Sequence, residues 1–131
     1  MPVIQPNLRI RTGVYMGECV GYCYQDMTIT SDDVMYIKYA LPRDPSWPDI
    51  VHQVRMGADE WNKLVQDLDL QAFWALPRTI GEPDAADQGG EWVEITDGDR
   101  VKRVDFVLGA EIPEISSFLE KLRKLRTQIS E

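Results

Sequence analysis

The residues with the clearest chemical potential are acidic and lie together in the segment 81–94. It reads Gly-Glu-Pro-Asp-Ala-Ala-Asp-Gln-Gly-Gly-Glu-Trp-Val-Glu. Hard cations such as Mg²⁺, Mn²⁺ and Ca²⁺ prefer several oxygen ligands from a flexible, glycine-containing loop. One interpretation is therefore a divalent-cation or small-ligand site. Its candidate ligands are Asp84, Asp87 and Glu91, with Glu82 and Glu94 close by in the chain.

The same segment has a simpler interpretation as a turn. It lacks the Asp-x-Asp-x-Asp-Gly spacing of the calcium-binding helix-loop-helix. Asp84 and Asp87 are of a type that bonds its own backbone in turns, and Gly89-Gly90 lets the chain enter the next strand. A pair of acid–base carboxylates is a third alternative, which requires two of them to share a cleft.

No catalytic motif accompanies these acids. His52 is the only histidine and falls in a strand-like pattern, so a histidine-rich zinc site is excluded and a Cys–His or Ser–His–Asp arrangement is not indicated. The sequence contains no phosphate-binding loop, dinucleotide fingerprint or metalloprotease helix motif. We therefore expect no catalytic residues and no cofactor beyond a divalent cation, and the sequence leans against an enzyme.

Two further groups of residues raise separate possibilities. Cys19 and Cys23 are four apart, which on a straight strand separates them by about 13 Å, so they bridge only if Gly21 bends the chain. The simpler expectation is two reduced, buried thiols, and a redox role is the alternative. Trp47 lies in a loop with three prolines, 41–49, where it either anchors a protein interface or folds back onto the sheet.

Alternating apolar residues predict the strands that position these groups. They are expected at 7–12, 22–30, 34–40 and 50–56, and then at 91–96 and 101–108. Ser31-Asp32 as a turn places Ile29 opposite Val34 and Met27 opposite Tyr36. In the second hairpin, Val93 is expected opposite Val104 and Glu94 opposite Arg103.

Two amphipathic segments predict helices. One begins at Gly57 and continues through a short second turn to Pro77, and the other spans about 112–128. The element order is then ββββ-α-ββ-α. The fold class expected for residues 1–131 is a single α+β domain, with an antiparallel sheet of about six strands and two helices packed on one face.

Composition limits the partners. The 131 residues carry a net charge of −8, and residues 57–99 contain eleven acidic and two basic side chains. Nucleic-acid affinity comes mainly from Lys and Arg that neutralise phosphates, so nucleic-acid binding is disfavoured. No stretch matches a membrane span or a secretory signal, and we expect a cytoplasmic protein that binds no membrane. The oligomeric state is left open.

Three stretches carry a family resemblance. Thr12-Gly13, Gly17-Glu-Cys-Val-Gly-Tyr-Cys23 and the motif Gly-x-Pro-Asp-x-x-Asp-x-Gly-Gly-Glu-Trp of 81–92 resemble a loosely defined group of small bacterial domains of unknown function. The resemblance covers most of the chain and implies no activity. Relatives can carry two cysteines around the Pro-Asp, where this chain has Glu82 and Ala85, so the resemblance does not imply a four-cysteine zinc site here.

Together these observations favour a non-enzymatic protein-binding module. The partner is expected to present a basic or aromatic-accepting patch, and the candidate interaction residues are Trp47, Asp84 and Asp87. The alternative function is the cation or small-ligand site of the 82–94 loop.

Overall fold

A computed structural model describes residues 7–17, 19–85 and 88–130. Its centre is one seven-stranded sheet, and three α-helices with one 3₁₀ turn accompany the strands. No helix in these ranges is long and apolar enough to cross a membrane. The strands are β1 (Leu8–Tyr15), β2 (Tyr24–Ile29), β3 (Asp33–Tyr39), β4 (Ile50–Arg55), β5 (Thr79–Ile80), β6 (Gly90–Asp97) and β7 (Arg100–Val107). The helices are α1 (Ala58–Gln66), α2 (Leu70–Ala75) and α3 (Ser116–Ile129), and the 3₁₀ turn is Pro113–Ile115.

The sheet order is β4-β3-β2-β1-β6-β7-β5. All neighbouring pairs are antiparallel except β5 and β7, which are parallel. The expectation of about six purely antiparallel strands and two helices was therefore wrong. The physical reason is local, because β5 has only two residues and cannot show an alternating pattern.

The second helix was also missed as a separate element. The chain leaves α1 at Asp67, and Asp69 then caps α2 by accepting a hydrogen bond from the Ala72 N–H at 3.0 Å. Such a side-chain cap favours a new helix start rather than continuation of the first. Pro77 ends the helical run, and the Arg78 carbonyl accepts from the Asp105 N–H beside β5.

Both predicted hairpin registers are confirmed. Ile29 pairs with Val34 and Met27 with Tyr36, and in the second hairpin Val93 pairs with Val104. Because side chains alternate along a strand, these registers place the large apolar residues on one face of the sheet. Helix residues cover that face and complete the core, among them Trp61, Leu64, Phe73, Phe118, Leu119 and Leu122.

The other face of the sheet, which we call the open face, has no helix of the described chain packed on it. Its strand positions alternate with the core positions and are mostly exposed or half-buried. A sheet face that no helix covers is free to contact a binding partner. The residues of the open face therefore form the candidate site.

Candidate binding face

A row of tyrosines crosses the open face at one end of the strands. Tyr39 pairs directly with Tyr24, and Tyr24 pairs directly with Tyr15. The rings stack in sequence, with centroids 5.3 Å apart for Tyr39 and Tyr24 and 6.4 Å apart for Tyr24 and Tyr15. The next strand contributes Gly90 opposite Tyr15, and a Cβ there would lie 2.2 Å from the tyrosine ring. Glycine is therefore required for the row to lie flat across β6.

The neighbouring row repeats this glycine–aromatic arrangement. Gly13 pairs with Trp92, and a Cβ on Gly13 would lie 2.6 Å from the indole Nε1. Trp92 is only 5% exposed although it is on the open face. Two guanidinium groups cover its ring, that of Arg103 at 4.2 Å and that of Arg11 at 5.4 Å from the centroid. Cation–π contacts of this kind hold the indole flat against the sheet.

The arginines that lie over the rings are also paired with carboxylates. Arg103 binds Asp105 through two hydrogen bonds, of 2.8 and 3.1 Å, and Arg11 binds Glu94 at 3.2 Å. At the tyrosine row, Arg43 lies over the Tyr39 ring at 4.5 Å. Its carboxylate partner is Asp49, at 3.0 Å. The charges are therefore balanced locally, and the surface combines aromatic rings with guanidinium groups.

One hydrogen bond ties the two rows together. The Tyr39 hydroxyl donates to Asp26, with 3.1 Å between the oxygens. Burial raises the pKa of Tyr39 to about 12, and the negative charge of Asp26 adds to the effect. Burial also raises the pKa of Asp26, while the hydrogen bond from Tyr39 opposes that rise. At neutral pH the phenol is thus a proton donor.

Trp47 lies elsewhere, against the loop between β1 and β2. Its ring meets Tyr22 edge to face with centroids 5.3 Å apart, and a Cβ on Gly21 would lie 3.0 Å from it. The side chain is 37% exposed, so it folds back onto this loop and still presents part of its ring. Its role as an interface anchor stays a prediction.

The same loop contains a disulfide between Cys19 and Cys23. Our expectation of two reduced thiols was therefore wrong. The Cα atoms are 5.8 Å apart, and Gly21 between them has φ +90°. Because L side chains rarely adopt that conformation, glycine supplies the bend that brings the two cysteines together.

The structure describes only part of the predicted acidic site. Asp84 accepts from the Gly89 N–H at 2.9 Å and from the Gly17 N–H at 3.2 Å, as in the simpler turn interpretation. Asp87 lies outside the described residues. Glu91 and Glu94 are three apart on β6 and point to opposite faces. Within the described ranges, no group of three metal-ligating side chains converges.

Glu91 is instead the centre of a buried ion cluster beneath α3. It is 1% exposed and accepts from Arg123 through Nε at 3.0 Å and through Nη2 at 2.8 Å. Arg126 reaches it at 3.4 Å, and the Gly109 N–H donates to it at 3.0 Å. These donors occupy both carboxylate oxygens of Glu91, and the cation site stays a prediction.

Sequence reasoning missed the assembly of the aromatic residues on the open face. The predicted register of the first hairpin already implies that Tyr24 faces Tyr39. Tyr15 was missed because β1 was expected to end at residue 12, three residues early. Arg103 over Trp92 follows from the predicted register of the second hairpin, whereas Arg11 over Trp92 depends on the pairing of β1 with β6, which no local pattern reveals.

Comparisons with known proteins add no family: a scan against protein-family models matches none, and a search of the curated proteins finds no match. The resemblance to small bacterial domains therefore stays a prediction. The function has to be argued from the open face and the pockets themselves.

Proposed function

We propose that this protein is a non-enzymatic binding module that recognises a protein partner through the open face. The observation that carries the proposal is the stacked row of Tyr39, Tyr24 and Tyr15 on a sheet face without a helix. Tyrosine supplies a large, rigid contact area at low entropic cost, and protein interfaces are enriched in it.

The rest of the open face has the composition of an interface. Its described strand positions include arginine but no lysine, and lysine is one of the residues that interfaces deplete. Carboxylates are depleted as well, and those of this face, such as Glu94 and Asp105, are paired with the arginines. Exposed aliphatic side chains lie on the same face of the sheet, with Met35 at 43%, Val51 at 54% and Val101 at 58% exposure. Binding hot spots are enriched in tyrosine, tryptophan and arginine, the residues that form the two rows of this face.

A protein partner is favoured over single-stranded nucleic acid. Aromatic rings with basic side chains also bind nucleic-acid bases. Here, however, Arg11, Arg43 and Arg103 each have a carboxylate partner. The net charge of −8 also repels phosphates. The same charge attracts a partner of net positive charge, and we expect the association rate to fall as salt is added.

The disulfide bears on the cellular compartment of the protein rather than on the open face. The cytoplasmic location expected from the sequence requires Cys19 and Cys23 to be reduced, because cytosolic thiols are kept reduced. The disulfide argues for an oxidising compartment instead. Thiol alkylation immediately after cell lysis decides between a reducing and an oxidising compartment. Alkylation of Cys19 and Cys23 would indicate a reducing compartment, and cysteines that resist alkylation would indicate an oxidising one.

The proposal is tested by affinity capture with matched variants. The double variant Tyr24→Ala/Arg103→Ala removes one ring and one guanidinium from the open face. The control Lys124→Ala also removes one positive charge, from an exposed position of α3. We expect wild type and control to retain the same protein from an extract of the source cells, and the double variant to lose it.

Two further observations sharpen this test. The captured protein should bind purified wild type with at least tenfold higher affinity than the double variant, and circular dichroism should show both folded. The proposal is contradicted if the captured protein binds wild type and the double variant with equal affinity. It is also contradicted if Trp47→Ala no longer binds the captured protein while Tyr24→Ala/Arg103→Ala still does. The second result would transfer the site to the loop that carries Trp47.

A further inference from the structure

A second feature lies on the helix-covered side of the sheet, at one end of strands β1 and β2 and beside the last turn of α3. A pocket of about 440 Å³ opens between the last turn of this helix and the loop that carries the disulfide. Its apolar walls are Val14, Met16 and Leu108, and Cys23 contributes half of the disulfide. Small-molecule sites have volumes of this order, with mostly apolar walls and a few fixed polar groups.

The principal polar group of this pocket is Arg126. It lines the pocket, yet it is only 9% exposed. Its Nη2 donates to the Thr12 hydroxyl at 2.8 Å, while its Nη1 reaches Glu91 at the long distance of 3.4 Å. Its Nε is buried and has no hydrogen-bond partner among the described residues. A buried guanidinium donor without an acceptor is costly, so an acceptor brought by a ligand would be favourable.

The charge around Arg126 is incompletely compensated. Glu91 is the carboxylate of the buried cluster, and Arg123 takes its two shortest ionic contacts. One carboxylate thus faces two guanidinium groups, which leaves a net positive charge. Burial lowers the pKa of Arg126, Glu91 opposes this, and Arg123 lowers it further. None of the described residues that line the pocket is acidic, so its wall favours an anion.

Gln25 supplies a second polar group that is fixed in orientation. Its Oε1 accepts a hydrogen bond from the Tyr36 hydroxyl at 2.8 Å. The amide nitrogen of Gln25, which also lines the pocket, is then the end of the side chain that can donate to a ligand. Ser130 lies at the same wall, and its hydroxyl donates to the Thr127 carbonyl at 3.1 Å, which leaves its oxygen as an acceptor.

We propose that this pocket binds a small organic monocarboxylate with an aliphatic tail. The carboxylate would accept from Arg126 and the Gln25 amide, and the tail would contact Val14, Met16 and Leu108. A guanidinium pairs with a carboxylate through strong, charge-assisted hydrogen bonds. One excess positive charge and apolar walls favour a monoanion with a tail over a compact, multiply charged phosphate.

The test uses hexanoate as the probe and hexanamide as its neutral counterpart. Calorimetric titration of the full chain should show binding of hexanoate, with at least tenfold weaker binding of hexanamide and of inorganic phosphate. In NMR spectra, hexanoate should shift the Nε–H resonance of Arg126. Equal binding of acid and amide, tighter binding of phosphate, or an unmoved Arg126 resonance would each overturn the proposal.

Three variants locate the site. Arg126→Met should weaken hexanoate binding at least tenfold, whereas Lys124→Met, which removes an exposed charge two residues away, should leave it unchanged. Because Arg126→Met disturbs the buried cluster, Thr127→Trp provides a second test that blocks the pocket from an exposed helix position. If a folded Thr127→Trp variant binds hexanoate as tightly as wild type, the carboxylate does not occupy this pocket.

Discussion

Replacing Glu91 by Gln tests the buried ion cluster, which positions both β6 and α3. The carboxylate is 1% exposed and receives donors from Arg123, Arg126 and the Gly109 N–H. Glutamine keeps the shape and one acceptor oxygen, but its amide group points donor hydrogens at guanidinium groups. One buried guanidinium, that of Arg126, and one half-buried guanidinium, that of Arg123, then lie side by side without a counterion.

The magnitude follows from the burial of the pair. Removing one partner of a buried ion pair costs about 3–5 kcal/mol, because the remaining charge is left uncompensated. The matched control is Glu94→Gln, the same substitution three residues along β6. Glu94 pairs with Arg11 on the open face, where side-chain exposures are 21% and 35%. An exposed pair of this kind contributes about 0.2–1 kcal/mol.

Chemical denaturation followed by circular dichroism measures both variants. We expect Glu91→Gln to lower the free energy of unfolding by at least about 3 kcal/mol, and to lower the melting temperature by roughly 10–20 °C in a chain of this size. Glu94→Gln should lie within about 1 kcal/mol of wild type. If the two variants lose equal stability, the reasoning on the buried cluster is wrong.

Three further predictions concern the open face and the disulfide loop. The Tyr39 pKa of about 12 means that the stability this phenol contributes is complete below pH 10 and is lost as pH rises through about 12. Ultraviolet titration of the wild type should show a phenol that ionises near that pH and that is absent from the titration of Tyr39→Phe. The prediction is contradicted if the phenol that Tyr39→Phe loses ionises near pH 10 instead. Gly13→Ala forces a Cβ against Trp92 and should cost about 1–3 kcal/mol in denaturation, and a cost below about 0.5 kcal/mol would show that the indole does not cover this glycine. Replacing Cys19 and Cys23 by serine opens a short loop and should cost about 2 kcal/mol; the refuting result is equal stability of the serine variant and the oxidised wild type.

Local pattern was sufficient where a strand is long and one of its faces is buried. The register of the first hairpin followed from placing Met27, Ile29, Val34 and Tyr36 on one face, since a slip of one residue would expose them all. The register of the second followed from placing Val93 opposite Val104 and Glu94 opposite Arg103. β5 could not be found in this way, because two residues carry no period. Its pairing with β7 depends on where α2 ends.

The sequence contains a pattern that predicts the buried ion cluster, but that pattern was interpreted differently. Glu91 lies two residues before Val93 and so shares its buried face. Leu122, Arg126 and Ile129 follow the i, i+4, i+7 spacing of one helix face. An acid and an arginine, each on a core face, predict a buried pair. The sequence analysis interpreted the acid as a cation ligand instead.

The disulfide and the open face needed tertiary information. A spacing of four is too long to bridge on a strand, and only the left-handed conformation of Gly21 closes it. The aromatic surface assembles from four neighbouring strands whose order in the sheet is not their order in the chain. Local periodicity says nothing about the contact of β1 with β6, which brings Trp92 beneath Arg11.

The central claim is that the open face is where a protein partner binds, and photo-crosslinking in the source cells tests it most directly. A photoreactive phenylalanine derivative replaces Tyr24 on the open face, or Lys124 on the outer side of α3 as the matched control. We predict one adduct of discrete mass from position 24, lost when Arg103→Ala is added, and none from position 124. No adduct at position 24, or the same adduct from both positions, would contradict the claim.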